Sequence, residues 1–528
     1  MNNYNYKILA MATVLSLAFS SCKKDLDLTP TNDITADKAY ADFSGYQSGV
    51  AKVYGSYATP SNIGTGTSDV SGQDPGFADF LRGYWNLQEL PTDEAACAWI
   101  GDAGGGIQGL DYNSYVPSNV LILGMYARSM YQISVVNEFL RESTDAKVAS
   151  RGITGNDAQE IKYFAAEARF IRAFQYWVLM DFFGNPPFIT EENKVGKESP
   201  QQITRAKLFE YVESELLAIE PLLKETNEYG RVTKAADWAL LARLYLNAGV
   251  YTGTNKYNEA AQYAGKVISS GHYSLHPVYA NLFKGDNDKN NPEVILSINY
   301  DGVKTQNYGG TTYLINAAVN GDMGPVGFGI PNGGWGGNRS RPNLPNLFGD
   351  YKNTKDKRAM FWGDNPNITD ISIFKQGLAV TKFTNLTSTG TTPPSVGGTY
   401  CSTDFPLFRL AEMYLVYAEA VARGGSGSTA TALGYLNLLR QRAYGDASGN
   451  LSSYTVDDIL NERGRELYWE GFRRTDLIRY SKYTSDTYLW PFKGGIAAGK
   501  GLEAYKTLYP LPVSDVIANT NLTQNPGY

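Results

Sequence analysis

The chain has little with which to do imidazole or thiol chemistry. Of its 528 residues, two are histidine, His272 and His276, and three are cysteine, Cys22, Cys97 and Cys401. Two imidazoles leave most histidine-based catalysis without its parts, and three thiols rule out a disulfide framework. Positive charge is not in excess, because 47 Lys and Arg stand against 53 Asp and Glu, a net charge of −6. Nucleic acid is therefore excluded as the ligand, since phosphate binding needs concentrated cations. Runs long enough to cross a membrane are missing too. The apolar stretch from Ile8 to Phe19 is twelve residues, too short to span a bilayer as a helix.

What the sequence has is apolar bulk, tyrosine and glycine. Hydrophobic residues make up 43% and charged residues 19%, the balance of a folded chain, and the length is worth roughly three domains. Tyrosine alone accounts for 38 residues. It joins a flat apolar face to a hydrogen-bonding tip, which suits half-wet surfaces such as sugar sites.

The N-terminus reads as an address. Lys7 precedes the short apolar run, and Ser20-Ser21-Cys22 follows it, the order of a secretory signal peptide. The cysteine after small residues points to a bacterial lipoprotein signal over residues 1–21, with Cys22 as the acylated first residue of the mature chain. Phe19 stands where such signals usually carry Leu. Several acyl chains on one cysteine give stable anchoring. Residues 22–33, with Lys23-Lys24-Asp25 and Asp27, form a charged tether, as in surface-exported lipoproteins. The expected location is the outer membrane, lipid-anchored and facing the cell surface.

Beyond the tether, helical periods alternate with glycine-rich loops. Periodicity predicts helices over 36–57, 120–141, 158–183, 205–223, 234–248, 257–269, 410–423, 430–442 and 456–480. Residues 60–117 read as loop. In Ala236-Asp237-Trp238-Ala239-Leu240-Leu241-Ala242-Arg243-Leu244-Tyr245, apolar residues recur at three and four positions, marking one packed face. Together with Tyr257–Ala264 this looks like a tetratricopeptide unit. Between 294 and 403 the character changes. Val294–Ile298 and Leu378–Phe383 read as strands, and Gly309 to Gly337 is dense in glycine. The predicted fold is mainly α: a tetratricopeptide-like solenoid of about four helical pairs, carrying an inserted irregular α+β, loop-rich ligand-binding lobe. The predicted division is 34–293, an inserted lobe at 294–403, and 404–528.

The last third carries a specific motif. In Glu462-Arg463-Gly464-Arg465-Glu466-Leu467-Tyr468-Trp469-Glu470-Gly471-Phe472-Arg473-Arg474-Thr475-Asp476-Leu477-Ile478-Arg479, three opposite charge pairs stand at helical spacing. They are Arg463–Glu466, Glu470–Arg474 and Asp476–Arg479. Large apolar residues interleave with them, so part of this lattice is expected to be buried. The run resembles the signature of the SusD/RagB family of outer-membrane nutrient-binding lipoproteins. The resemblance continues in Asp404–Leu415, in Tyr509-Pro510-Leu511-Pro512-Val513-Ser514-Asp515 and in Asn525-Pro526-Gly527-Tyr528, and spans essentially the whole chain.

The loops Gly72-Gln73-Asp74, Glu89–Glu94, Tyr245–Gly253 and Asp301–Gly310 are similar to those of the family's starch-binding member. That resemblance implies a non-catalytic binder of starch and maltooligosaccharides that works with a SusC-like TonB-dependent transporter. It places the sugar-stacking aromatics at Trp99, Tyr308 and Trp335, and the polar contacts at Asp74, Arg82 and Asp102. Asp102 departs from the family member, which has an amide there. The chemistry agrees. A glucose ring offers an apolar C–H face to an aromatic ring and a rim of hydroxyls to Asp and Arg. Three aromatics on separate loops can form an arc matching the curve of an α-1,4-glucan. Trp177, Trp238 and Trp469, on helical faces, read instead as packing residues.

Other chemistries have weaker support. Asp286 and Asp288, with Asp404, offer oxygen ligands for a structural calcium. His272 and His276 are four apart, but Gly271 and Pro277 argue against a helix, and no third zinc ligand is evident. Cys97 and Cys401 either pair or stay as buried thiols. A glycoside hydrolase needs two carboxylates across a cleft, and Asp93-Glu94 are the pair such an enzyme would use. A binder of a different glycan is the other alternative.

Overall fold

The computed structural model describes residues 35–528, apart from 195, 197 and 198. Cys22, its signal and the whole tether therefore lie outside the described residues. The fold is mostly helical and built from packed helix pairs. Val120–Glu142 packs on Gly155–Phe183, which in turn packs on Arg205–Ile219. Lys234–Leu246 packs on Tyr257–Ser269, that helix on Leu410–Ala422, and the last on Thr429–Tyr444. Alanines at the seams, among them Ala239, Ala242, Ala260, Ala264 and Ala418, are fully buried and allow the close approach. One continuous core runs through all the pairs, from Tyr46 to Leu522. Trp177 and Trp469 sit in it, as expected, and Trp238 lies partly buried against it.

Helix starts follow the sequence where a hydroxyl or carboxylate can cap them. Thr204, Thr233 and Ser428 each accept from a backbone N–H in the first turn, and Thr455 forms a capping box with Asp458. Elsewhere the structure departs from periodicity. The stretch 36–57 is two pieces, Ala36–Ala39 and Phe43–Ala58, because Asp42 caps a new start. The span 60–117 holds two helices, Phe80–Glu89 and Asp102–Asp111. The first is buried at every residue, so it lacks the polar face that periodicity detects. The strand expected at 378–383 shrinks to Ala379–Val380, whereas Val294–Ile298 forms as predicted and pairs antiparallel with Phe405–Arg409.

The largest departure is in the motif. Residues 456–480 form Val456–Leu467 and Arg473–Arg479, separated by a corner where Trp469 (φ 64°) and Gly471 (φ 81°) are left-handed. Gly471 is required twice over: its φ is positive, and a Cβ there would lie 2.4 Å from the Tyr84 ring. The corner rearranges the charges. Only Asp476–Arg479 forms as spaced, at 2.8 Å. Glu466 instead receives Arg358, Arg409 and Arg442, Glu470 receives Arg409 and Lys382, and Arg463 turns to Asp476. Crowded cations hold the Glu462 carboxyl down to about 2 and that of Glu466 lower still. Such a lattice is costly to break from one side, about 3–5 kcal/mol per orphaned charge. Its role is to fasten the lobe, through Arg358 and Lys382, to the last helix pairs.

Candidate functional site

Two short contacts hold the sugar-site candidates in register. The strand Ala95–Cys97 pairs antiparallel with Asn338–Ser340, and Ala98 N–H donates to Gly337 O at 2.8 Å. This lays the Trp99 loop across the glycine run that carries Trp335. The Trp99 ring then covers Gly337, where a Cβ would lie 2.4 Å from it. The same run is fixed from below by the helix Gly310–Ala318. Its carbonyls of Asn316, Ala317 and Val319 accept from the N–H groups of Trp335, Gly337 and Gly336 at 2.7–2.8 Å. These are the carbonyls a helix C-terminus leaves without partners, so the loop satisfies the helix and the helix shapes the loop.

Tyr308 enters from the other end of that helix. Asp79, the N-cap of Phe80–Glu89, accepts from both Arg82 N and Gly310 N at 2.8 Å. One buried carboxylate thus ties the start of the Arg82 helix to the residues just after Tyr308, and burial raises its pKa. The Tyr308 ring is 47% exposed and lies 6.3 Å from Trp335, inclined at 47°. Trp99 and Trp335 are half-buried and packed on the core from behind. The three aromatics expected from the resemblance therefore come together from three loops.

The polar candidates join them. The Arg82 guanidinium is sandwiched between Phe77 and Tyr313, 4.7 and 4.3 Å from the ring centroids, and its Nη2 donates to Asp102 at 3.3 Å. Asp102 is the more exposed partner, 37% against 8% for the arginine side chain. Asp74 accepts from Gly76 N at 2.8 Å, which turns its loop. A Cβ on Gly76 would lie 3.0 Å from Arg82, 3.2 Å from Asp74 and 3.6 Å from Tyr308, so those three meet across that glycine. Asp74, Arg82 and Tyr308 thus adjoin one another, with Arg82 itself buried, and Trp99 and Asp102 connect to them through Tyr313 and Arg82.

The structure adds residues that the sequence did not suggest. Tyr400 lies 5.5 Å behind Tyr308, and Tyr313 lies 6.3 Å from Trp99 while also carrying Arg82. Tyr400 is far from both loops in sequence and sits in no periodic stretch, so only the tertiary fold brings it there. Tyr313 carried one usable signal, being four residues into the first helix after the Tyr308 loop.

The other candidates have structural partners. Asp93 receives both arms of Arg473 at 2.7 Å and the Tyr488 hydroxyl at 2.6 Å, and Glu94 accepts from Trp469 N. Both acids are about 2% exposed, so neither faces a substrate. Cys97 and Cys401 are buried free thiols, which settles against pairing, and burial pushes the Cys97 thiol up to about 12. Asp286 is turned onto Ser388, accepting from its N–H and hydroxyl at 2.7 and 2.6 Å, Asp288 is exposed, and Asp404 accepts from Tyr300 N at 2.7 Å. Among the described residues no group of three or more His, Cys, Asp or Glu side chains is arranged to hold a metal ion. No such group includes Asp286 with Asp288, or His272 with His276. His276 Nδ1 accepts from Val278 N and caps its own turn.

Comparison with known proteins follows the same lines. A family model described as the SusD family matches residues 358–528, and one described as starch-binding associating with outer membrane matches residues 109–246. The chain is 36% identical to the starch-binding protein SusD of Bacteroides thetaiotaomicron, over 98% of both chains. It is 25% identical to SusD-like protein P2 of Formosa agariphila over 99% of both. Among solved structures, a SusD homolog from Bacteroides thetaiotaomicron superposes with a TM-score of 0.73 at 20% identity, covering 94% of this chain and 99% of that one. Surface glycan-binding protein A from the same species, in complex with laminarihexaose, gives 0.68 at 21% identity over 91% and 99%.

Proposed function

The chain belongs to the SusD/RagB family, and from that premise we propose that it binds starch and maltooligosaccharides at the outer membrane without cutting them. The observation that carries this reading is the meeting of Trp99, Trp335 and Tyr308, from three separate loops, beside the Arg82–Asp102 pair. Rings at different inclinations suit a chain that turns from one glucose to the next, and the polar groups reach the hydroxyl rim. A neutral glucan gives no charge to grip. A single shallow site then holds it at micromolar to millimolar strength, about −8 to −4 kcal/mol. Many copies on one membrane meeting one polymer compensate by avidity.

The setting of the acids supports the non-catalytic reading. Asp93 and Glu94 are locked in ion pairs and backbone bonds, and Asp74 and Asp102 are committed to Gly76 and Arg82. Lipid anchoring through Cys22 and delivery to a SusC-like TonB-dependent transporter complete the proposal. A laminarin-type glucan is the second reading, favoured by the fold shared with the laminarihexaose-bound protein. Affinity electrophoresis in gels cast with starch or with laminarin tests the two. Retardation by starch supports the reading; retardation by laminarin alone, or by neither, overturns it. Maltoheptaose incubated with the protein should be recovered intact by chromatography.

A further inference from the structure

We infer that Asp111 is the positioning residue of the Trp99 arm, a buried carboxylate that seats the indole for the glucan without touching sugar. The inference rests on the glucan-binding reading above. The strand Ala95–Cys97 leads into Trp99 and belongs to a sheet of two strands, so one of its edges has no neighbouring strand. Backbone groups buried on such an edge must find other partners. The Cys97 N–H donates to both carboxylate oxygens of Asp111, at 3.3 and 3.2 Å, and the Ala95 carbonyl accepts from Arg341 Nε at 2.7 Å. Asp111 ends the helix that Asp102 begins, so its bond to Cys97 closes a loop that contains both Trp99 and Asp102. Within that loop the Asp102 N–H donates to the Trp99 carbonyl at 2.9 Å.

The same carboxylate reaches the strand that follows the indole's seat. Arg341 comes directly after Asn338–Ser340, and its Nη2 donates to Asp111 Oδ1 at 3.4 Å and to the Asp111 carbonyl at 3.0 Å. Its other bonds go to the carbonyls of Leu90 and Pro491. Arg339, on the strand itself, donates to the carbonyls of Gln376, Ile371 and Gly337. Among the described residues Asp111 is the one carboxylate within ion-pair distance of Arg341, and both side chains are fully buried. A well-packed apolar pair is often as stable as a buried ion pair, so stability alone does not account for this one. What the charge adds is position. One carboxylate fixes Cys97, two residues before Trp99, and through Arg341 it fixes the strand that starts after Gly337, on which the indole rests.

Two variants test this. Asp111→Asn removes the charge and turns an amide donor toward the Cys97 N–H. Asp111→Glu keeps the charge that Arg341 needs for folding and moves the carboxylate off Cys97 by one methylene. Each should weaken maltoheptaose binding by about three- to tenfold, the worth of one aromatic stack. In a Trp99→Ala background neither should cost anything further. Alkylation mapped by mass spectrometry should label Cys97 faster in both variants while Cys401 stays protected, the mark of a local shift. Wild-type affinity in either folded variant overturns the inference, as does an undiminished loss in the Trp99→Ala background, or labelling of the two thiols in step. Wild-type affinity in Trp99→Ala itself would overturn the placing of the glucan on Trp99, and the inference with it.

Discussion

The Tyr308 and Tyr400 rings lie 5.5 Å apart, inclined at 53°, the first 47% exposed and the second 8%. Tyr400 is thus the backing on which the exposed ring rests. It belongs to a segment tied back by Cys401 N–H to Thr312 and by Val396 N–H to Gly302, so both sides of the Tyr308 loop hold it in place. Such an aromatic pair contributes about 0.5–1.5 kcal/mol beyond area burial. Tyr400→Ala should weaken maltoheptaose binding by about three- to tenfold. Tyr400→Phe should stay near wild type. In a double-mutant cycle read by calorimetry, Tyr308→Ala should leave Tyr400→Ala almost nothing further to remove. Additive losses would place Tyr400 in direct contact with sugar instead.

Gly337 and Trp99 give a second check, because one can be perturbed through the other. A methyl at 337 would lie 2.4 Å from the Trp99 ring, closer than any real contact, so Gly337→Ala must push the indole off its seat. Gly337→Ala and Trp99→Ala should both lose most retardation in starch gels while unfolding remains cooperative. A Gly337→Ala protein that binds normally would show that the indole's present seat is not the one used for stacking.

Where the reading of the sequence succeeded, the physics was local. The helix Lys234–Leu246 has a cap, a period and alanines, and it forms within two residues of its expected end. Trp99, Tyr308 and Trp335 were singled out as candidates by glycine-rich loops and a family likeness, yet nothing in the sequence placed Gly337 under Trp99. The helix Phe80–Glu89 was hidden because it is buried all round, and the corner at Trp469 because its charges imitate a continuous helix. Asp286 read as a metal ligand from its neighbours in sequence, whereas its hydrogen-bond partner Ser388 comes from 102 residues away.

Asp102 tests the polar edge. Its pair with Arg82 is 3.3 Å long and its carboxylate is partly exposed, so it adds little to stability, within about 1 kcal/mol. Its larger effect is to hold the guanidinium between Phe77 and Tyr313. Asp102→Asn keeps an acceptor for Arg82 and adds a donor for a sugar hydroxyl, so binding should be kept or modestly improved. Asp102→Ala should weaken binding several-fold with Tm nearly unchanged. Equal affinities for both variants in a titration would remove Asp102 from the site.

Glu89 and Glu94 make stability depend on pH through the motif corner. Glu89 accepts from Gly471 N at 2.7 Å and Glu94 from Trp469 N at 3.3 Å, and the two buried carboxyls adjoin each other. Full burial raises both, Glu89 to about 7, despite Arg473 nearby. The folded protein therefore keeps a proton that the unfolded chain, with a carboxyl near 4.5, releases. Its stabilising effect is complete below the unfolded value and is lost as pH rises through the folded one, at up to about 1.4 kcal/mol per pH unit. Glu89→Gln copies the protonated form, accepting from Gly471 and donating to Glu94, without a proton to lose. Urea unfolding across that window should find wild type losing stability relative to Glu89→Gln as pH rises. Parallel curves for the two proteins would mean that the pair does not share a proton and that the corner is held by the Arg473–Asp93 bridge alone.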